Sequence, residues 1–155
     1  MHNEYRDLLI TLLGRLGGNR VRNLDAVQED MSDTPFADVH RPDIRVDEPG
    51  CAPTFIDVSL AHWWSGGRGR TSEARREAAA ATPTAVVDAA HRHKLVEEYR
   101  QEANVWPGCL LILGIVATGG RAHGDFAGSI RGWCRRAAER RGGIGGVDVD
   151  ADFQG

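Results

Sequence analysis

The stretch that most limits the fold is residues 109–117, CLLILGIVA, the longest apolar run in the chain. It follows Pro107-Gly108 and comes just before Gly119-Gly120. A membrane-spanning helix needs roughly 20 apolar residues, so this run is far too short to be one. Its length and its glycine boundaries suit a strand buried in the middle of a sheet.

Other segments read as partners for that strand. Leu8, Leu9, Leu12, Leu13 and Leu16 recur at helical spacing, which predicts an amphipathic helix over 3–16, with Asn3 as its N-cap and Gly17-Gly18 as its end. Residues 20–24 read as a short first strand. Residues 28–37 are polar and acidic and read as loop. Ile44 and Val46 alternate with polar neighbours over 43–47, the period of a strand. Glu48-Pro49-Gly50 supplies turn chemistry, and 54–60 forms the second, more apolar and more central arm. Pro42 pushes Arg41 toward extended backbone, which suits a strand entry. A second helix is expected over 84–103, starting near Thr84 or Asp88, with Val86, Val87, Ala90, Leu95 and Val96 as an imperfect apolar face. Phe126, Ile130, Trp133 and Ala137, at i, i+4, i+7 and i+11, give a third.

The order helix, strand, hairpin, helix, strand, helix predicts an α/β sandwich around a small mixed sheet. A chain of 155 residues suits one domain. We place that domain at 1–141, with 62–83 as a long insertion loop lacking periodicity and 142–155 as a disordered Gly/Asp tail.

Charge and cysteine usage restrict function more weakly. The formal net charge of −3 gives no global basic footprint, although five arginines fall within 131–141. Arg68, Arg70 and that arginine run are candidates for phosphate contact. The three cysteines are widely spaced and lack a C-x-x-C, which excludes a zinc knuckle and suits a reducing compartment. With no signal peptide in view, an intracellular setting, cytoplasmic or nuclear, and no membrane partner are expected. Of the nineteen basic residues only Lys94 is lysine. A GC-rich coding sequence drifts lysine toward arginine, so a lysine that persists can be one whose chemistry arginine does not replace.

Two aspartates interrupt the predicted hairpin: Asp43 follows Pro42, and Asp57 lies between Ile56 and Val58. An ionised carboxylate beside a core is costly without a hydrogen bond, a basic partner or a cation. Two readings stand side by side. Asp43 is a turn cap and Asp57 faces solvent on an edge strand; or the two aspartates and the Val58 carbonyl form half of a magnesium shell, since that ion takes oxygen ligands and keeps several waters. Lys94 likewise is either a surface lysine paired with Glu97 or Glu98, or a site cation.

Taken together, the helix, the "RPD" and "IDVSL" arms, the helix with a lone lysine and a tyrosine, the apolar strand and "TGG" resemble the PD-(D/E)xK, restriction endonuclease-like superfamily. The likeness is greatest to the C-terminal endonuclease domain of non-LTR retrotransposon polyproteins, and spans about residues 2–133. The resemblance implies an αβββαβ sandwich and DNA as partner, with Asp43 and Asp57 holding Mg2+ or Mn2+. The superfamily lysine two residues after the second acid is replaced here by Ser59. In the retrotransposon-type branch that lysine lies on the next helix, where Lys94 stands. Thr118, in the "TGG" position, would be a phosphate contact. Tyr99 matches the branch's helix aromatic, but at about 100° per residue it falls on a different face from Lys94 and reads as packing. His91 and His93 read as solvated, with His91 one turn from Lys94, and Glu4 as exposed surface.

The expectation is therefore a metal-dependent DNA endonuclease domain of retroelement origin, in which Asp43, Asp57 and Lys94 are catalytic and Asp43, Asp57 and Val58 hold the metal. The alternative is a catalytically inactive nuclease-fold module that binds nucleic acid or protein.

Overall fold

The computed structural model describes residues 1–16, 18–27, 30–32, 34–37, 39–61, 82, 84–100, 105–106 and 108–144. The elements are α1 (His2–Arg15), β1 (Arg20–Asn23), the single turn α2 (Leu24–Val27), β2 (Ile44–Asp47), β3 (Thr54–Ala61), α3 (Ala85–His93, continued by a π-helical turn, Lys94–Glu98), β4 (Val105–Trp106), β5 (Cys109–Ala117) and α4 (Gly124–Ile144). The sheet order is β1-β2-β3-β5-β4, four principal strands with the two-residue β4 at one edge. Strands β1, β2 and β3 are antiparallel neighbours, whereas β5 lies parallel to β3. A parallel neighbour needs a crossover, and α3 provides it. The apolar run 109–117 is β5, paired with β3 along its length and with β4 only at Cys109 and Leu110.

Side chains alternate across the pleat, so the sheet has two apolar faces. One carries Phe55, Leu111, Leu113 and Ile115 and packs against Val87, Leu95 and Tyr99 from the α3 segment. The other carries Ile44, Val46, Ile56 and Val58 and packs against Leu9 and Leu13 of α1 and Phe126 and Trp133 of α4. Gly114 interrupts β5 where three neighbours crowd it. A Cβ there would lie 3.3 Å from Ile56 Cγ2, 3.5 Å from the Asp57 carbonyl oxygen and 3.6 Å from Phe126 Cε2.

Several boundaries differ from the sequence reading. Helix α1 begins one residue earlier, with Met1 rather than Asn3 at the cap and no side-chain cap bond. The polar stretch 28–37 nevertheless delivers Met31 and Phe36 to the core. Phe36 meets Phe55 edge-on at 4.9 Å, so the aromatic contact holds this loop against the sheet. The second helix stops near Tyr99 rather than 103, and Arg100 takes a left-handed φ of 53°. The last helix runs to Ile144, three residues into the expected tail. The remainder of that tail, and nearly all of the insertion 62–83, lie outside the described residues.

Candidate active site

Asp57 sits in the middle of β3, only 1% exposed. It is not on a solvent-facing edge, because β2 and β5 flank its strand on both sides. In the pleat it alternates with Ile56 and Val58, so it shares the face covered by α3.

Its charge is compensated from that helix. Lys94 Nζ donates to both Asp57 oxygens at 2.8 Å each, and to Glu98 Oε2 at 3.2 Å. Tyr99 Oη donates to Asp57 Oδ2 at 2.8 Å. His40 Nε2 stands 3.3 Å from the same oxygen and 3.6 Å from Glu98. The surface-lysine alternative is half right: the i,i+4 pair with Glu98 exists, but its ammonium also reaches across to the sheet.

The expectation that Tyr99 lies on another helix face fails for a specific reason. Helix α3 switches to i→i+5 hydrogen bonding at Lys94, and the Tyr99 N–H donates to the Lys94 carbonyl at 3.0 Å. A π turn closes in about five residues instead of four. Residues 94 and 99 therefore stack on one face and share Asp57.

Electrostatics follow from this packing. Burial lowers the basicity of Lys94, but Asp57 and Glu98 outweigh it and hold the ammonium above its ordinary pKa. Burial, with Asp57 beside it, pushes the Tyr99 hydroxyl far up, so it stays a donor.

Asp43 lies just before β2, tied in place by its backbone. Its N–H donates to the Ile56 carbonyl and its carbonyl accepts from the Leu24 N–H, both at 2.9 Å. Its Oδ2 accepts the Val58 N–H at 2.7 Å, so the two hairpin arms bring Asp43 directly beside Asp57-Val58. Burial first, and the Asp57 charge next, raise the Asp43 pKa against the lowering effect of the Val58 N–H. The Val58 carbonyl points to the same side and accepts His2 Nε2–H at 2.9 Å. His2 Nε2 is also 3.6 Å from Asp43 Oδ2.

Two carboxylates, Asp57 and Glu98, thus hold the one ammonium, and Asp43 adds a third acid nearby. The group His40, Asp57 and Glu98 has donor atoms within 4.8 Å of one another, but Lys94 Nζ already fills that space. Asp43 Oδ2, the Val58 carbonyl and Asp57 Oδ1 each already accept a hydrogen bond, from the Val58 N–H, His2 and Lys94 respectively.

Other candidates fall elsewhere. His91 is not solvated: its ring stacks on that of His123 at 3.9 Å, and its Nε2 is 3.5 Å from Asp125. Thr118 donates its N–H to the Ala61 carbonyl, while its hydroxyl is buried with no hydrogen-bond partner among the described residues. Its surroundings, including Leu60, Val116 and Phe126, are apolar. Ser59 lies on β3 opposite Ile115 and supplies no cation. Glu4 is exposed and pairs with the Met1 amino group at 3.5 Å.

Two members of the arginine run have structural work. Arg136 donates to both Glu48 oxygens at 2.6 and 3.0 Å, and Arg140 to Glu48 at 2.9 Å. They pin α4 to the buried carboxylate that follows β2. Arg68 and Arg70 lie outside the described residues.

His2, His40 and Glu98 were not picked out from sequence as site residues. His40 stands three residues before Asp43, and Glu98 one turn after Lys94, but neither spacing distinguishes a site from a surface. No helix among the described residues is long and apolar enough to cross a membrane. Compared with models of known families, with curated proteins and with solved structures, the chain matches none.

Proposed function

We propose that this chain is a metal-dependent DNA endonuclease domain with the restriction endonuclease-like αβββαβ fold, of the type found in retroelements. One observation carries the reading: the only lysine of the chain, on the crossover helix, reaches a buried aspartate of the central strand beside a second aspartate. The element order, with three antiparallel strands, a crossover helix and a final parallel strand, agrees with it.

Asp43, Asp57 and the Val58 carbonyl would hold Mg2+ or Mn2+. Bound there, the ion would polarise a phosphate and acidify a water. Tyr99 and Lys94 both donate to Asp57 Oδ2, while Oδ1 accepts from Lys94. Lys94, protonated and already aligned by Asp57 and Glu98, orients the attacking water and donates to a phosphate oxygen where negative charge develops. Arg131, exposed on α4, is a candidate for contact with the DNA backbone.

Nicking of supercoiled plasmid with Mg2+ or Mn2+ tests the proposal. Asp57→Asn and Lys94→Met should each lower the rate by about 10²–10³-fold, the usual loss when a preorganised charge is removed. Protein that cuts nothing with either ion, or variants that cut equally well, would sink it.

One observation favours the inactive module instead: the Lys94 ammonium is fully engaged by Asp57 and Glu98, as a purely structural lysine would be. In that case DNA binding should be salt-dependent, indifferent to divalent ions and unaffected by Asp43→Ala.

A further inference from the structure

We propose that His2 is a ligand of the cation held at Asp43 and Val58, and that its nitrogen tips the site toward Mn2+ over Mg2+. This inference rests on the cation site proposed above and adds a residue to it.

His2 Nε2 is 2.9 Å from the Val58 carbonyl oxygen and 3.6 Å from Asp43 Oδ2. An octahedral ion with bonds near 2.1 Å sets adjacent ligand atoms roughly 3.0 Å apart. The imidazole nitrogen is therefore at the spacing of a neighbouring vertex to the Val58 oxygen, and needs to close by about 0.6 Å on Asp43 Oδ2. As the protein stands, Nε2–H bridges that gap as a donor. A cation needs the Nε2 lone pair there instead.

The ring has somewhere to carry its proton. Nδ1 lies 3.2 Å from Asn3 Oδ1, which accepts an Nδ1–H. A metal-bound histidine characteristically donates its other N–H to such an oxygen, which fixes tautomer and ring direction. Coordination needs the Nε2 lone pair, so the Nε2 proton passes to solvent as the ion enters, while an N–H at Nδ1 faces Asn3 Oδ1. The side chain is 44% exposed, so ion and water can both reach it. It is also well supported. His2 is the first residue of α1, whose Leu9 and Leu13 are buried against the sheet.

Selectivity follows from the donor. Magnesium prefers an all-oxygen shell. Imidazole adds affinity for transition ions such as manganese. A site of carboxylates, one carbonyl and one imidazole should therefore prefer Mn2+.

Titration of the whole chain with Mn2+, followed by electron paramagnetic resonance, and with Mg2+ in competition, tests this. Wild type should bind one Mn2+ more tightly than Mg2+, and pulsed measurements should show coupling of the ion to a ¹⁴N nucleus. In His2→Ala the nitrogen coupling should vanish and Mn2+ affinity fall about 10–100-fold, while Mg2+ affinity changes little. Equal loss for both ions in His2→Ala, or retained nitrogen coupling, overturns the inference. If His2→Ala binds Mn2+ as wild type does while Asp43→Asn abolishes binding, only the role of His2 fails. If Asp43→Asn binds undiminished, the cation site fails with it. Circular dichroism of each variant separates these outcomes from unfolding.

Discussion

Lys94→Met isolates the charge that Asp57 depends on. Methionine keeps an unbranched stem of similar reach, so packing along α3 is largely preserved and the change removes the ammonium. What remains is a carboxylate 1% exposed, still bonded to Tyr99 Oη at 2.8 Å but without its two bonds from Nζ. Breaking a fully buried pair by removing one partner costs about 3–5 kcal/mol. Here the Lys94 side chain is 12% exposed, so water can enter the gap and screen part of the loss. The expected cost is about 2–3 kcal/mol, which for a chain of this length is roughly 4–12 °C in Tm. Asn at 57 removes the charge while keeping an acceptor for Tyr99, so Asp57→Asn/Lys94→Met should be more stable than Lys94→Met alone. Urea unfolding followed by circular dichroism and tryptophan fluorescence, to which the buried Trp133 contributes, measures all four corners of this cycle. A loss below about 0.5 kcal/mol, the size of an ordinary surface change, refutes the reasoning. So does a double variant as unstable as Lys94→Met.

Two further perturbations test the electrostatics by their sign. Asp43 has a raised pKa from burial and from Asp57, so its contribution to stability is fully present below its unfolded pKa and is lost as pH rises through the folded value. Asp43→Asn keeps an acceptor for the Val58 N–H and should raise the Tm in neutral buffer, with the gain closing toward acid; a lower Tm at neutral pH contradicts this. Glu48 behaves oppositely. The hydrogen bond from Arg136 outweighs burial and, with Arg140, holds its pKa down, so its contribution is present above the unfolded pKa and is lost as pH falls through the folded one. Glu48→Gln should cost about 1–2 kcal/mol at neutral pH and flatten the acid limb of a plot of urea midpoint against pH; an unchanged acid limb would remove Glu48 from the account.

The parts of the fold that could be read from sequence are those where local pattern and tertiary demand coincide. A glycine-bounded apolar run must be a covered strand, and Phe126, Trp133 and Ala137 at helical spacing must face a core; both are so in the structure. Leu9 and Leu13 are buried as the leucine stripe requires, but Leu8 and Leu12 on its margin remain exposed. The site was legible in Asp43, Asp57 and Lys94, because a carboxylate in an apolar strand and a single lysine are both anomalies of composition. Tyr99 was misread because 100° per residue assumes an α-helix throughout, and nothing in KLVEEY announces an i→i+5 turn. His2 and His40 approach the acids from segments far from Asp57 in the chain, and no periodicity connects them. The stretch around Phe36 is loop as its composition indicates, but that polar composition hides Met31 and Phe36, which are buried in the core with Phe55 and Tyr99.

That Lys94 is not an arginine has a geometric basis in this site. Three acceptors converge on residue 94, the two oxygens of Asp57 and Oε2 of Glu98, and an ammonium has three donors arranged around one atom. A guanidinium is a planar fork that matches a single carboxylate well, but it spreads its donors over several ångströms and is bulkier. On a buried strand backed by Tyr99, the compact charge satisfies both acids from one point. Arginine would meet Asp57 bidentately only by pushing its plane into the space of His40 and Glu98. Arg136 on Glu48 shows the fork used where one carboxylate alone must be held. The exception at 94 is thus what the packing around Asp57 asks for, whether the ammonium serves only the fold or also a phosphate.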